Sequence, residues 1–194
     1  MAADGVKVVP IQLDLTSSES ITAAAEAAAD TQALINNAST AAFAGPLDAD
    51  LSAVAEEFGV NFFGNYGLVR AFIPILRANQ GAIVNILSLL SLSSTPPMAG
   101  YSASKAAFHS LTQALRPVLV ADGVAVHGVY PGGIDTDMLA GIDAPKTPPE
   151  QVAVGILDGI EAGTEDIFPD PNSKAMAEVW SSDPKAFERA FSGI

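Results

Sequence analysis

The chain has no cysteine, which excludes disulfide cross-links and thiolate chemistry. It is also poor in cations: 9 Lys and Arg stand against 22 Asp and Glu, for a net charge of −13 at pH 7. Nucleic-acid binding needs a basic face, so that class of partner is not expected. The acidity is sufficient for solubility. Long hydrophobic runs are missing as well. The longest apolar stretch, residues 81–92, is too short and too polar to span a bilayer. With no secretory leader and no cysteine, a cytoplasmic setting is expected. No tandem repeat or low-complexity linker divides the 194 residues, so one domain over 1–194 is expected.

What is present is a well-packed composition, 49% hydrophobic and 16% charged. Its focus is the stretch Gly100-Tyr101-Ser102-Ala103-Ser104-Lys105. On a helix, Tyr101 and Lys105 leave the same face one turn apart. A phenol has an ordinary pKa of about 10. A nearby ammonium favours the phenolate and makes the tyrosine a candidate general acid or base. Alone, the pair is a weak signal, equally at home on the polar side of an amphipathic helix. Upstream, Ser88 ends the apolar run 81–88, which reads as a buried parallel strand. A hydroxyl at the carboxyl end of such a strand lies where open α/β sheets place ligands.

The remaining chain alternates strands and helices. Residues 6–13 read as a strand, with Pro10 tolerable at an edge. Thr16-Ser17-Ser18-Glu19 has the spacing of a capping box for the helix that follows. Residues 32–39 are the next strand and its exit, and 48–78 read as a helix pair or one long kinked helix. Gly59, Gly64 and Gly67 invite a phosphate-loop reading, but no strand precedes them; close helix packing is the better account. Residues 89–98 form a loop, 101–122 a helix stopped by Gly123, and 124–130 a buried strand. His109 has no partner at metal-ligand spacing and reads as packing. Thr147-Pro148-Pro149-Glu150 has the spacing of a second capping box, opening a helix to Ala162. A final helix opened by Asp183-Pro184 completes the set.

Strand, Ser88, gap and Tyr-Ser-Ala-Ser-Lys together resemble the short-chain dehydrogenase/reductase family. Asn36-Asn37-Ala38-Ser39 and Pro131-Gly132-Gly133-Ile134-Asp135-Thr136 follow the same family order, and residues 165–169 resemble the family's short last strand. The resemblance implies an α/β, Rossmann-like doubly wound parallel sheet. It also implies an NAD- or NADP-dependent oxidoreductase acting on a small-molecule secondary alcohol or ketone, as a homodimer or homotetramer through the two long helices. It assigns catalysis to Asn61, Ser88, Tyr101 and Lys105: Tyr101 moves the proton, Ser88 binds the carbonyl, Lys105 lowers the phenol's pKa and holds the nicotinamide ribose, and Asn61 holds a water on the proton path. Cofactor contacts would come from Asp14 and Leu15 at the adenine, from Ala38 and Ser39 at the ribose, from Tyr101 and Lys105, and from Ile134 and Thr136 at the carboxamide. Asn37 would brace the sheet. Ser39 replaces the family's glycine, and a side chain obstructs the close approach that glycine allows.

The family's first β-α-β unit, with its glycine-rich turn at a helix N-terminus, has no counterpart in the sequence. In that sheet order the strand at 6–13 lacks its neighbour, and an edge is bare. It re-pairs, or another chain covers the edge, or Met1 is not the true start; the last predicts a parent with about 40–60 further N-terminal residues. Two other functions stay open. One is a non-catalytic remnant or interaction module that keeps the fold without binding cofactor. The other is a cofactor-independent lyase like the halohydrin dehalogenases, which Lys105 argues against because those carry Arg there.

Overall fold

The computed structural model describes residues 7–193. Four parallel strands, β1 (Ala33–Asn36), β2 (Ala82–Ile86), β3 (Ala125–Val129) and β4 (Asp166–Ile167), form one sheet in the order β1-β2-β3-β4. Helices cover both faces, as expected of a doubly wound sheet. On one face Leu34, Ile83 and Val126 pack under α1 (Ser18–Ala27), α3 (Asn65–Asn79) and α4 (Ala99–Leu119). On the other, Val84, Val129 and Ile167 pack under Ile156 and Ile160 of α5 (Pro149–Glu161). Strand alternation makes this two-sided burial possible, because neighbouring residues point to opposite faces. A buried polar chain crosses the first face. Asn36 donates to Asn85 at 2.7 Å, and Asn85 donates to Thr112 of α4 at 2.9 Å.

Helix α2 (Leu51–Phe58) runs into α3 through a π-helical segment, Gly59–Gly64. The expected long helix therefore exists, with a one-residue widening at its centre and Pro74 inside its second half. Its glycines admit different neighbours. A Cβ on Gly64 would meet the Leu15 backbone, and one on Gly67 would meet Ile21 of α1. The close packing at Gly64 is thus against a turn, not against a helix. No helix among the described residues is long and apolar enough to cross a membrane.

Several expectations are corrected. Residues 7–13 form no strand, and Val6 lies outside the described residues. A lone strand without a neighbour has no ladder to close, so its backbone groups stay with water. Ser17, not Thr16, caps α1 by accepting the Ser20 N–H at 3.2 Å; the Thr16 hydroxyl donates to Asp14 instead. Thr147 caps nothing with its side chain. Its backbone bonds Gly133 and Asp135, and α5 starts at Pro149. A helix that the sequence reading missed, α6 (Pro171–Ser182), carries a true capping box between Asp170 and Ser173. The final helix, α7 (Pro184–Ser192), is capped by Asp183 as expected.

Candidate active site

The carboxyl ends of β1, β2 and β3 open onto one cavity of about 760 Å³. Ser88, Tyr101 and Lys105 form one wall, and Asn37, Ala38, Ser39, Ile134 and Thr136 line it as well. Sequence reasoning thus brings eight of its residues to one place. The loop at 89–98 contributes Met98, the loop at 137–146 contributes Met138 and Ile142, and α7 contributes Phe191.

Tyr101 and Lys105 share a face in the first turns of α4, and both are buried. The Lys105 ammonium lies 5.7 Å from the Tyr101 ring centroid and donates to the Ile86 carbonyl at 2.8 Å. Burial lowers Lys105 to about 8. Burial also raises the Tyr101 phenol to about 12; the hydroxyls of Ser88 and Ser39 pull it down, and the Glu57 carboxylate adds to the rise. The expected depression of the phenol by Lys105 is therefore not present. Removing two ionisable groups from water disfavours both charged forms, and this outweighs their mutual attraction.

Ser88 is held in extended backbone at the end of β2, where its hydroxyl accepts the Leu90 N–H at 3.1 Å. Ser39 does not block the cavity. Its hydroxyl donates to Asn61 at 3.0 Å. Asn61 itself lies behind the wall, fully buried in the π segment. Its side chain accepts from Ser39 and from the Thr40 N–H, and donates to the Thr40 carbonyl and to Ser104. All four of its bonding positions are used, so its amide supports the wall rather than holding a water.

One other assignment moves, and the two residues expected at the adenine lie outside this cavity. The side chain that braces the sheet is Asn36; strand alternation sends Asn37 to the opposite, exposed side. Asp14 folds back onto Thr16, accepting from its hydroxyl at 2.7 Å and its N–H at 2.8 Å, and these two bonds hold its carboxyl below the usual range. Leu15 is buried with α1 and α3 in the core. Neither of the two lines the cavity. His109 packs edge-on against Tyr130 and bonds its hydroxyl at 2.8 Å, which accounts for it without a metal. Among the described residues no cluster of metal-ligating side chains occurs.

The residues fit the nicotinamide-ribose half of a dinucleotide. Lys105 uses one of its three N–H donors on Ile86 and lines the cavity with the others unassigned, as a vicinal diol requires. Ile134 stands in a parallel bridge with Thr147 formed through the backbone groups of its neighbours Gly133 and Asp135, so its own N–H takes no part in it. No Gly-x-x-x-Gly-x-Gly follows a strand among the described residues.

Comparison with known proteins agrees with this geometry. A short chain dehydrogenase of Burkholderia cenocepacia, solved in complex with NADP, superposes with a TM-score of 0.91 at 35% identity, over 96% of this chain and 82% of that one. Estradiol 17-beta-dehydrogenase 2 of Rattus norvegicus is 31% identical over 115 residues, 58% of this chain and 30% of the rat protein. An uncharacterized oxidoreductase of Staphylococcus aureus is 31% identical over 165 residues, 81% of this chain and 71% of its own. The chain thus spans less than a third of the rat protein and most of the staphylococcal one. The sequence model of the short chain dehydrogenase family matches residues 1–147, and the chain belongs to that family.

Proposed function

We propose that the protein is an NAD(P)-dependent oxidoreductase that interconverts a neutral, largely apolar secondary alcohol and its ketone. The observation that carries this reading is the shared cavity wall of Ser88, Tyr101 and Lys105. In reduction, Ser88 and Tyr101 donate hydrogen bonds to the carbonyl oxygen and stabilise the charge that develops there. Tyr101 gives up its proton to that oxygen as general acid. Lys105, anchored to Ile86, would hold the ribose hydroxyls and orient the ring. The bound nicotinamide would supply or accept the hydride. Support for a dinucleotide comes from the 35% identical relative solved with NADP.

The substrate class follows from the lining. Lys105 and Asp137 are its ionisable side chains apart from Tyr101, whereas Phe43, Leu89, Met98, Met138, Ile142 and Phe191 make much of the surface. An anionic substrate would face Asp137 without a free partner of its own, so neutral apolar ketones are favoured. Apolar side chains exposed on the long helices, such as Phe63 and Val118, support association into a dimer or tetramer.

The test is a fluorescence titration of the purified chain with NADH and NADPH, followed by a panel of neutral and anionic ketones. Saturable binding and reduction of neutral ketones are expected. Tyr101→Phe should lower kcat by about 10²-fold or more while leaving nucleotide binding largely intact. Full activity in that variant would refute the scheme, and a folded chain that binds neither nucleotide would favour the non-catalytic reading.

A further inference from the structure

Glu57 is a buried ionisable group that this scheme does not use. It lies on α2 and is 3% exposed. One carboxylate oxygen accepts the Ala42 N–H at 2.8 Å. The other rests so closely on Gly100 that a Cβ there would overlap it. These two contacts lead to two separate segments that line the cavity. Ala42 precedes Phe43, which lines the cavity and has a φ of 51°, in the left-handed region that phenylalanine rarely occupies. Gly100 precedes Tyr101 in the first turn of α4, a helix with no side-chain cap of its own.

A carboxylate against the first turn of a long helix is favourably placed in the helix field. The same charge disfavours ionisation of a phenol in that turn. The charged groups bearing on Tyr101 are Glu57 from α2 and Lys105 from α4, while the hydroxyls of Ser39 and Ser88 face it from the ends of β1 and β2. We propose that Glu57 is a positioning residue: its carboxylate pins the first turn of α4 to the loop carrying Phe43 and reinforces the burial that keeps Tyr101 in its neutral, proton-donating form. This rests on the reading of Tyr101 as the acid of a carbonyl reduction. Glu57 then biases the site toward reduction at neutral pH, and alcohol oxidation, which needs the phenolate, is confined to alkaline pH.

Glu57→Gln keeps the shape and removes the charge. The pH profile of alcohol oxidation should move to lower pH by about one unit or less, the direction expected for loss of a like charge bearing on the phenol. Tyrosinate absorbance, differenced against the same variant carrying Tyr101→Phe, should move in parallel and needs no turnover. Glu57→Asp, which retains the charge, should keep the wild-type profile. If Glu57→Gln does not fold, Gly100→Ala provides the same reading, because its methyl displaces the carboxylate from the turn. A folded Gln variant with an unchanged tyrosine titration would overturn the proposal, whatever its stability. Absence of turnover in the wild-type chain would refute the oxidoreductase reading alone, since the absorbance titration still decides the role of Glu57.

Discussion

Lys105 shows how far function and stability diverge at a single residue. Its folded pKa of about 8 lies below the ordinary lysine value of about 10.4. Below pH 8 the folded chain carries a buried ammonium that the unfolded chain keeps in water, and this costs stability. Between pH 8 and about 10.4 the unfolded state binds the extra proton, so the penalty is relieved as pH rises. The difference corresponds to roughly 3 kcal/mol at neutral pH, offset in part by the single bond to Ile86. Lys105→Met should therefore raise stability at pH 7 by about 1–3 kcal/mol while abolishing turnover. Urea melts at pH 7 and pH 10 check this, and the gain should shrink at the higher pH. A variant less stable than wild type at pH 7 would show that the Ile86 bond outweighs desolvation.

At the scale of elements, α6 is the instructive case, because the sequence reading passed over it although Asp170-Pro171-Asn172-Ser173 carries its start signal. Asp170 is buried and does two jobs. One oxygen accepts the Ser173 N–H at 2.9 Å, and the other accepts the Gly132 N–H at 2.9 Å in the loop that follows β3. The cap of α6 and the loop leading to Ile134 and Thr136 are thus held by one carboxylate. Asp170→Ala should cost about 2–4 kcal/mol, the sum of a lost cap and an unpaired buried N–H. It should also raise the KM for nucleotide in a steady-state assay, since the loop loses its anchor. A loss of stability with KM unchanged would separate the two jobs.

Elements with strong periodicity were legible: β1 to β3, α1, α4 and α5 fall where apolar runs and stop residues place them, whereas β4 rests on the family resemblance. So were the residues at the ends of β2 and β3 and in α4 that meet in the cavity. Caps were read less well, because Thr16 and Thr147 have the right spacing but other residues compete for the same N–H groups. Asn36 and Asn37 could be distinguished only by the phase of a four-residue strand. The role of Glu57 left no local trace, because it depends on Ala42 and Gly100, which lie 15 and 43 positions away.

The whole molecule is asymmetric about its sheet. Helix α5 covers β3 and β4 on one face but does not extend to β1, so Ile35 is 52% exposed although its register partner Val84 is fully buried. The outer edge of β1 pairs with no strand among the described residues. Val8, Val9 and Leu13 in the preceding segment are exposed too. An unpaired edge beside an apolar surface is a template for association with other chains. Net charge opposes that association, yet none of the four residues of β1 is charged. Ile35→Lys puts a cation on the bare face, where native edge strands commonly carry one. Because Ile35 is half in water already, its replacement should change stability by no more than about 0.5 kcal/mol. Light scattering during concentration should show markedly less aggregation than for the wild-type chain, with the urea midpoint unchanged. A variant that instead unfolds at lower urea would show that this face is covered in solution.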